Sequence, residues 1–179
     1  GYFGNQITMN STHVLSSAYG YGADGSVYLH KISDGSLTHL WGNPNNAWGG
    51  PTTDAFAWAE CSIDISETHV IIGAVSDTNS QTAGSYNKGS IYIYDLASPE
   101  NPLYSILNPN TAGSTSQDQF GHAVAINGAY AVATAPGDRA SESQAIPWTS
   151  AIYVFELSTG NLVQSFTDPN PRSSGGGGF

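Results

Sequence analysis

Tyr130-Ala131-Val132-Ala133-Thr134-Ala135-Pro136-Gly137-Asp138, followed after a polar gap by Ala151-Ile152-Tyr153-Val154-Phe155-Glu156-Leu157, decides the fold. Both runs are short, rich in Val, Ile, Tyr and Phe, and bounded by turn formers, which is the signature of strands. Upstream, Phe120-Gly121 leads into the alternating pair Val124 and Ile126 and then Asn127-Gly128. Downstream, Thr159-Gly160 leads into Leu162-Val163-Gln164-Ser165-Phe166 and then Asp168-Pro169-Asn170. Four apolar runs joined by turn residues predict a four-stranded antiparallel meander.

The same pattern occurs twice more. The first copy runs through Phe3-Gly4, Ile7, Met9, His13 to Ala18, Val27-Tyr28-Leu29, Leu37 and Asn43-Pro44-Asn45. The second runs through Ile63, Ile65, His69 to Ala74, Ile91-Tyr92-Ile93, Leu103 and Asn108-Pro109-Asn110. Matched tyrosines at 28, 92 and 153 lie 64 and 61 residues apart, so the period is near 60. No stretch carries a sustained 3.6-residue period with caps, so almost no helix is expected. Asn127-Gly128 and Asp34-Gly35 suit tight hairpins whose two central residues take positive φ. A four-stranded meander repeated at this period reads as a β-propeller blade. The units are 1–47, 48–110 and 111–170, with 171–179 a Gly-rich linker toward a next blade.

The Phe-Gly, Ala-Pro and Ile-Tyr-Val-Phe elements resemble the FG-GAP repeat, the blade unit of integrin-alpha-type propellers. Phe120-Gly121, Ala135-Pro136 and Ile152-Tyr153-Val154-Phe155 carry the likeness in the third unit, and Phe3-Gly4 with Val27-Tyr28-Leu29 in the first. The second unit departs, with Phe56-Ala57 out of step and Ala74-Val75 in place of Ala-Pro. The resemblance implies the propeller fold and says far less about function. The calcium loop of the integrin branch would fall at Asn10 to Thr12, Ser66 to Thr68 and Asn127 to Ala129. None of these offers several carboxylates, so the likeness is to the calcium-free variant.

Three blades fall short of the roughly 4–8 that surround an axis. An open stack leaves apolar sheet faces bare at both ends, where repeat proteins ordinarily place polar caps. Phe179 follows Pro169 by 10 residues, close to the 11 by which Phe120 follows Pro109, so a fourth unit would begin there. The chain, which does not begin with Met, reads as a processed or partial product. Its end faces would be covered either by further blades of a longer chain or by other copies.

Composition narrows the partners. The 179 residues include 23 Ser, 14 Thr and 13 Asn but only 4 Lys+Arg against 14 Asp+Glu, a net charge of −10. That balance excludes a nucleic-acid backbone or anionic membrane surface as partner. No apolar run approaches a membrane span. Few charges and many hydroxyls point to an extracellular or cell-surface setting. The single Cys61 cannot form an internal disulfide and reads as a small buried hydrophobe.

Candidate sites are few. Gly20-Tyr21-Gly22-Ala23-Asp24-Gly25 matches G-x-G-x-x-G, but strand residues follow it where a dinucleotide site needs a helix, so it reads as a hairpin turn. Ser76 to Gln81 alternates oxygen side chains, yet Lys88 stands where a calcium loop needs Glu, and a solvated loop is expected. Asp138 aligns with Asp77, leaving a shared ion site as the rival reading. His13 and His69 share a column with Tyr130, and His30 shares one with Tyr94 and Phe155, so these are half-buried strand positions. No nucleophile–base pair can be nominated, and no catalytic residue, metal ligand or cofactor is assigned. Asn10-Ser11-Thr12 is the sole N-x-[ST] sequon, which makes Asn10 the glycan acceptor in a secreted protein. Trp48, Tyr86 and Trp148 fall in loops of one propeller face and are the candidates for recognising sugar or protein.

The resulting expectation is a non-catalytic, all-β structural or adhesive module that assembles with copies of itself into a larger stack or filament. The alternative is a protein- or carbohydrate-binding portion of a larger cell-surface propeller.

Overall fold

The computed structural model describes residues 2–20, 23–44, 62–75, 77, 89–110, 118–138 and 149–170, with backbone alone at 19–20 and 23–24. Twelve strands are present and no helix among these residues. They are β1 (Tyr2–Met9), β2 (His13–Gly20), β3 (Ala23–Lys31), β4 (Leu37–Trp41), β5 (Ile63–Ile65) and β6 (His69–Ala74). Then follow β7 (Ser90–Asp95), β8 (Tyr104–Leu107), β9 (Val124–Ile126), β10 (Tyr130–Ala135), β11 (Ala151–Glu156) and β12 (Leu162–Thr167). They form three four-stranded antiparallel meanders in chain order, β1–β4, β5–β8 and β9–β12, called sheets 1, 2 and 3.

The first turn of each sheet is closed by a side chain. Asn127 Oδ1 accepts from the N–H groups of Ala129 (2.8 Å) and Tyr130 (2.9 Å). Asn10 Oδ1 does the same for Thr12 (2.9 Å) and His13 (2.8 Å), and Ser66 Oγ for His69 (3.0 Å). Because an Asn or Ser oxygen replaces a backbone turn bond, the tight positive-φ hairpin expected at Asn127-Gly128 does not form, and Gly128 keeps negative φ. At Asp34-Gly35 only Gly35 is left-handed (φ 71°), with Asp34 Oδ1 accepting from Ser36 N–H (2.9 Å). Gly20 pairs with Ala23 across β2 and β3, and Ala23 to Gly25 open strand β3 where a dinucleotide site needs a helix.

Alternation along a strand sends neighbours to opposite faces, so register defines two columns of side chains per sheet. One column, here the aliphatic face, is Leu15, Val27, Leu29 and Trp41 in sheet 1, and Ile71, Ile91, Ile93 and Ile106 in sheet 2. In sheet 3 it is Val132, Ile152, Val154 and Phe166. The opposite column, the tyrosine face, carries Tyr28 and His30, then Tyr92 and Tyr94, then Tyr153 and Phe155.

Two cores follow from how these faces meet. The aliphatic face of sheet 1 packs on the tyrosine face of sheet 2, with Leu15, Val27 and Leu29 against Val70, Ile72, Tyr92 and Tyr94. Trp41 seals its edge, its ring 5.3 Å from Tyr94 and its Nε1–H donating to the Pro99 carbonyl (2.8 Å). The aliphatic face of sheet 2 packs on the tyrosine face of sheet 3, with Ile71, Ile91 and Ile93 against Ala131, Ala133, Tyr153 and Phe155. Sheet 2 is therefore covered on both sides, and β6 and β7 are buried almost throughout.

The first strands of the sheets are neighbours, β1 beside β5 and β5 beside β9. One carboxylate ties all three. Asp64 Oδ1 accepts from Thr8 Oγ1 (3.1 Å) and from Ile65 N–H (2.9 Å), while Oδ2 accepts from Ile126 N–H (2.8 Å). Hydrogen bonds to a charged group contribute roughly 1.5–3 kcal/mol. Asp64→Ala is accordingly expected to lower unfolding free energy by about 2 kcal/mol in urea titration, whereas an unchanged midpoint would remove Asp64 from this role.

Candidate functional site

The surfaces left over by this packing are the candidate site. Sheet 1 presents its tyrosine face outward, and sheet 3 presents its aliphatic face outward. On sheet 1, Ile7 is 71% and Met9 61% exposed, whereas their sheet 2 equivalents Ile63 and Ile65 are each 6% exposed. Phe3, Tyr28 and His30 form a ring cluster there, with centroids 5.2 Å (Phe3–Tyr28) and 6.1 Å (Phe3–His30) apart. On sheet 3, Ile152 is 41% and Phe166 53% exposed, whereas Ile91 and Val27 in the same column are fully buried. Leu37 and Leu40 of β4 and Tyr130 of β10 extend these exposed surfaces. Large apolar patches of this kind on a folded protein mark interaction sites.

Near one end of the sheets lies a buried polar group. Asp77 and Asp138, three residues beyond the ends of β6 and β10, each accept a hydrogen bond from the tyrosine hydroxyl of the following strand. Tyr92 donates to Asp77, and Tyr153 donates to Asp138 at 2.5 Å. Asn108 Nδ2 donates to Asp138 Oδ1 (2.9 Å) and Asp118 Oδ2 (3.2 Å), joining the exit of β8 to the approach to β9. Asp77, Asp118 and Asp138 are all at most 2% exposed. The solvated loop expected at Ser76 to Gln81 is thus corrected for Asp77, which is buried because a tyrosine hydroxyl satisfies it. The alignment of Asp77 with Asp138 marks this repeated tyrosine partner. Among the described residues no group of three or more His, Cys, Asp or Glu side chains is placed to hold a metal ion.

Burial raises the phenol pKa of Tyr94 and of Tyr153, and at Tyr153 the Asp138 hydrogen bond and the charges of Asp138 and Asp118 act in the same direction. An unfolded tyrosine ionises near pH 10, while these two stay neutral in the fold. Their contribution to stability is complete below about pH 10 and is lost as pH rises from there toward their folded values. Denaturation midpoints are expected to hold steady up to that pH and then fall, with Tyr94→Phe making the fall shallower. An equal slope in the variant would count against a buried neutral Tyr94.

Asn10 sits at the turn between β1 and β2, with Nδ2 donating to the Ser66 carbonyl (2.8 Å) of the neighbouring turn. Beside it Glu67 accepts from Ser11 N–H (3.1 Å) and Ser11 Oγ (2.6 Å), which holds its carboxyl below the usual range. Asn10 therefore belongs to a junction between sheets 1 and 2. Trp48, Tyr86 and Trp148, like Cys61, lie outside the described residues. His13 and His69 are half-buried strand residues, each with Nδ1 2.8 Å from the preceding threonine hydroxyl. The paired Asp–Tyr contact has one signal in residue order, the shared 15-residue spacing of Asp77 to Tyr92 and Asp138 to Tyr153.

No protein-family model matches the chain, and no curated protein is significantly similar to it.

Proposed function

We propose that this chain is a non-catalytic structural or adhesive module, three FG-GAP-like blades of a β-propeller, that works outside the cell by assembling with further copies of itself. The observation that carries the reading is the pair of uncovered apolar faces, one on each terminal sheet, built from the residue columns that are buried inside the molecule. Burying such faces yields about 25 cal/mol per Å², and a chain with one open face at each end has two places to gain it. The neighbouring first strands β1, β5 and β9 agree with blades set around an axis. The hydroxyl- and amide-rich composition, with 10% charged residues, suits an extracellular surface, and Asn10 is the position for a glycan. No helix among the described residues is long and apolar enough to cross a membrane.

Sedimentation across a concentration series, with electron microscopy of the same material, tests the proposal. Concentration-dependent rings or filaments are the expected result. A monomer at every concentration would overturn self-assembly.

A further inference from the structure

We propose that the open aliphatic face of sheet 3 on one copy receives the open tyrosine face of sheet 1 on a second copy, in the packing that already joins sheet 1 to sheet 2 and sheet 2 to sheet 3. The inference deepens the self-assembly reading and rests on it, since it names the surfaces and their order.

The argument is one of equivalence. Inside the molecule an aliphatic face meets a tyrosine face twice, and in neither case does a face meet its own kind. The two faces left over are one of each type. Val132, Ile152 and Val154 occupy the positions of Leu15, Val27 and Leu29, which are at most 3% exposed beneath Tyr92 and Tyr94. Even the polar detail repeats between these two aliphatic faces. Ser17 Oγ accepts from Gln6 N–H (3.1 Å), and Thr134 Oγ1 accepts from Ala123 N–H (3.0 Å) in the matching place. Sheet 3 therefore offers the kind of surface that sheet 1 offers to sheet 2.

The incoming surface is equally prepared. Ile7, Met9, Val14 and Tyr28 stand where Ile63, Ile65, Val70 and Tyr92 stand in sheet 2, and those four are at most 6% exposed. No Lys, Arg, Asp or Glu stands among these residues of either open face; the charged residues of β3 and β11 are Asp24 and Lys31, near the two ends of β3, and Glu156, at the end of β11. Burial of these columns consequently strands no ion.

The contact is heterologous, so its rotation decides between a closed ring of copies and a filament. A four-stranded face about 19 Å wide and 20 Å long, from strand spacing and rise, is smaller than the roughly 800 Å² per partner of a standard stable interface. Association through a single such contact will therefore be weak and concentration-dependent. A ring uses both faces of every copy and holds more firmly.

Charges placed at exposed positions test this without disturbing the cores. One variant carries Ile7→Asp and Met9→Asp, blocking the tyrosine face of sheet 1. The other carries Ile152→Asp and Phe166→Asp, blocking the aliphatic face of sheet 3. Circular dichroism and thermal unfolding establish that each folds. Each variant alone is expected to sediment as a monomer, and their equimolar mixture to form a one-to-one pair and nothing larger, because one competent face of each kind remains. If wild type assembles but either variant still dimerises alone, like faces pair and the inference fails while self-assembly stands. If the mixture stays monomeric although wild type assembles, another surface joins the copies and the inference fails again. A wild type that never assembles overturns both.

Discussion

Gly73→Ala is expected to loosen sheet 3 from sheet 2 and to lower stability by about 3 kcal/mol, the upper part of the overpacking range. Gly73 is the fifth of the six residues of β6, on the side facing sheet 3. A Cβ there would fall well inside van der Waals contact distance of the Gly121 carbonyl oxygen and lie 3.3 Å from the Ser62 carbonyl oxygen. Both obstacles are backbone, and Gly121 has little freedom to move. Its φ is 89°, its N–H donates to the Thr134 carbonyl (3.0 Å), and a Cβ of its own would stand 2.7 Å from the Ser90 carbonyl. The Phe120-Gly121 segment thus reaches sheet 2 through backbone contact, extended by a parallel bridge from Phe120 to Gly89. Phe120 itself is fully buried, with Tyr153 and Phe155 edge-on at 5.7 and 6.1 Å. Gly128→Ala supplies the control, because a Cβ there meets nothing and its φ is ordinary. It should change stability by no more than about 0.5 kcal/mol. Equal midpoints for the two variants in guanidinium titration would show that Gly121 does not seat on β6.

Asp138→Ala should cost more, about 3–5 kcal/mol, because it orphans two buried donors at roughly 1–3 kcal/mol each and removes charge-assisted bonds. The carboxylate is 1% exposed and holds the Tyr153 hydroxyl and the Asn108 amide at once. Those two side chains belong to sheets 3 and 2, so the loss is felt at their junction as well as in the loop. Asp138→Asn keeps an acceptor for one donor and should recover part of the loss. Thermal unfolding of the three proteins decides the matter: an alanine variant as stable as wild type would mean that the buried group is a bystander.

Much of the fold was legible in residue order. Val124, Ile126, Tyr130 to Ala135 and Ala151 to Glu156 became β9, β10 and β11, and their counterparts became strands in both other units. The column shared by Tyr28, Tyr92 and Tyr153 is a single structural position in three sheets. Turn chemistry was read less well, because an Asn before Gly favours a positive-φ hairpin and a side-chain-closed turn alike. The burial of Asp77 escapes residue order for a related reason. An acid in a polar stretch looks solvated until the tyrosine fifteen residues later folds back over it.

The candidate faces show the division most clearly. In Ala151-Ile152-Tyr153-Val154-Phe155 both alternating columns are apolar, so local pattern alone makes β11 a strand meant for burial on two sides. The same holds for Ile91-Tyr92-Ile93-Tyr94, where both sides are in fact covered. Residue order therefore determined the strands and the repeated columns that make the two kinds of face, since these depend on side-chain period and turn residues a few positions apart. Only the tertiary arrangement decided which faces were consumed, because covering a face requires a second sheet brought from some sixty residues away. The middle sheet has such a neighbour on each side, and each end sheet has one.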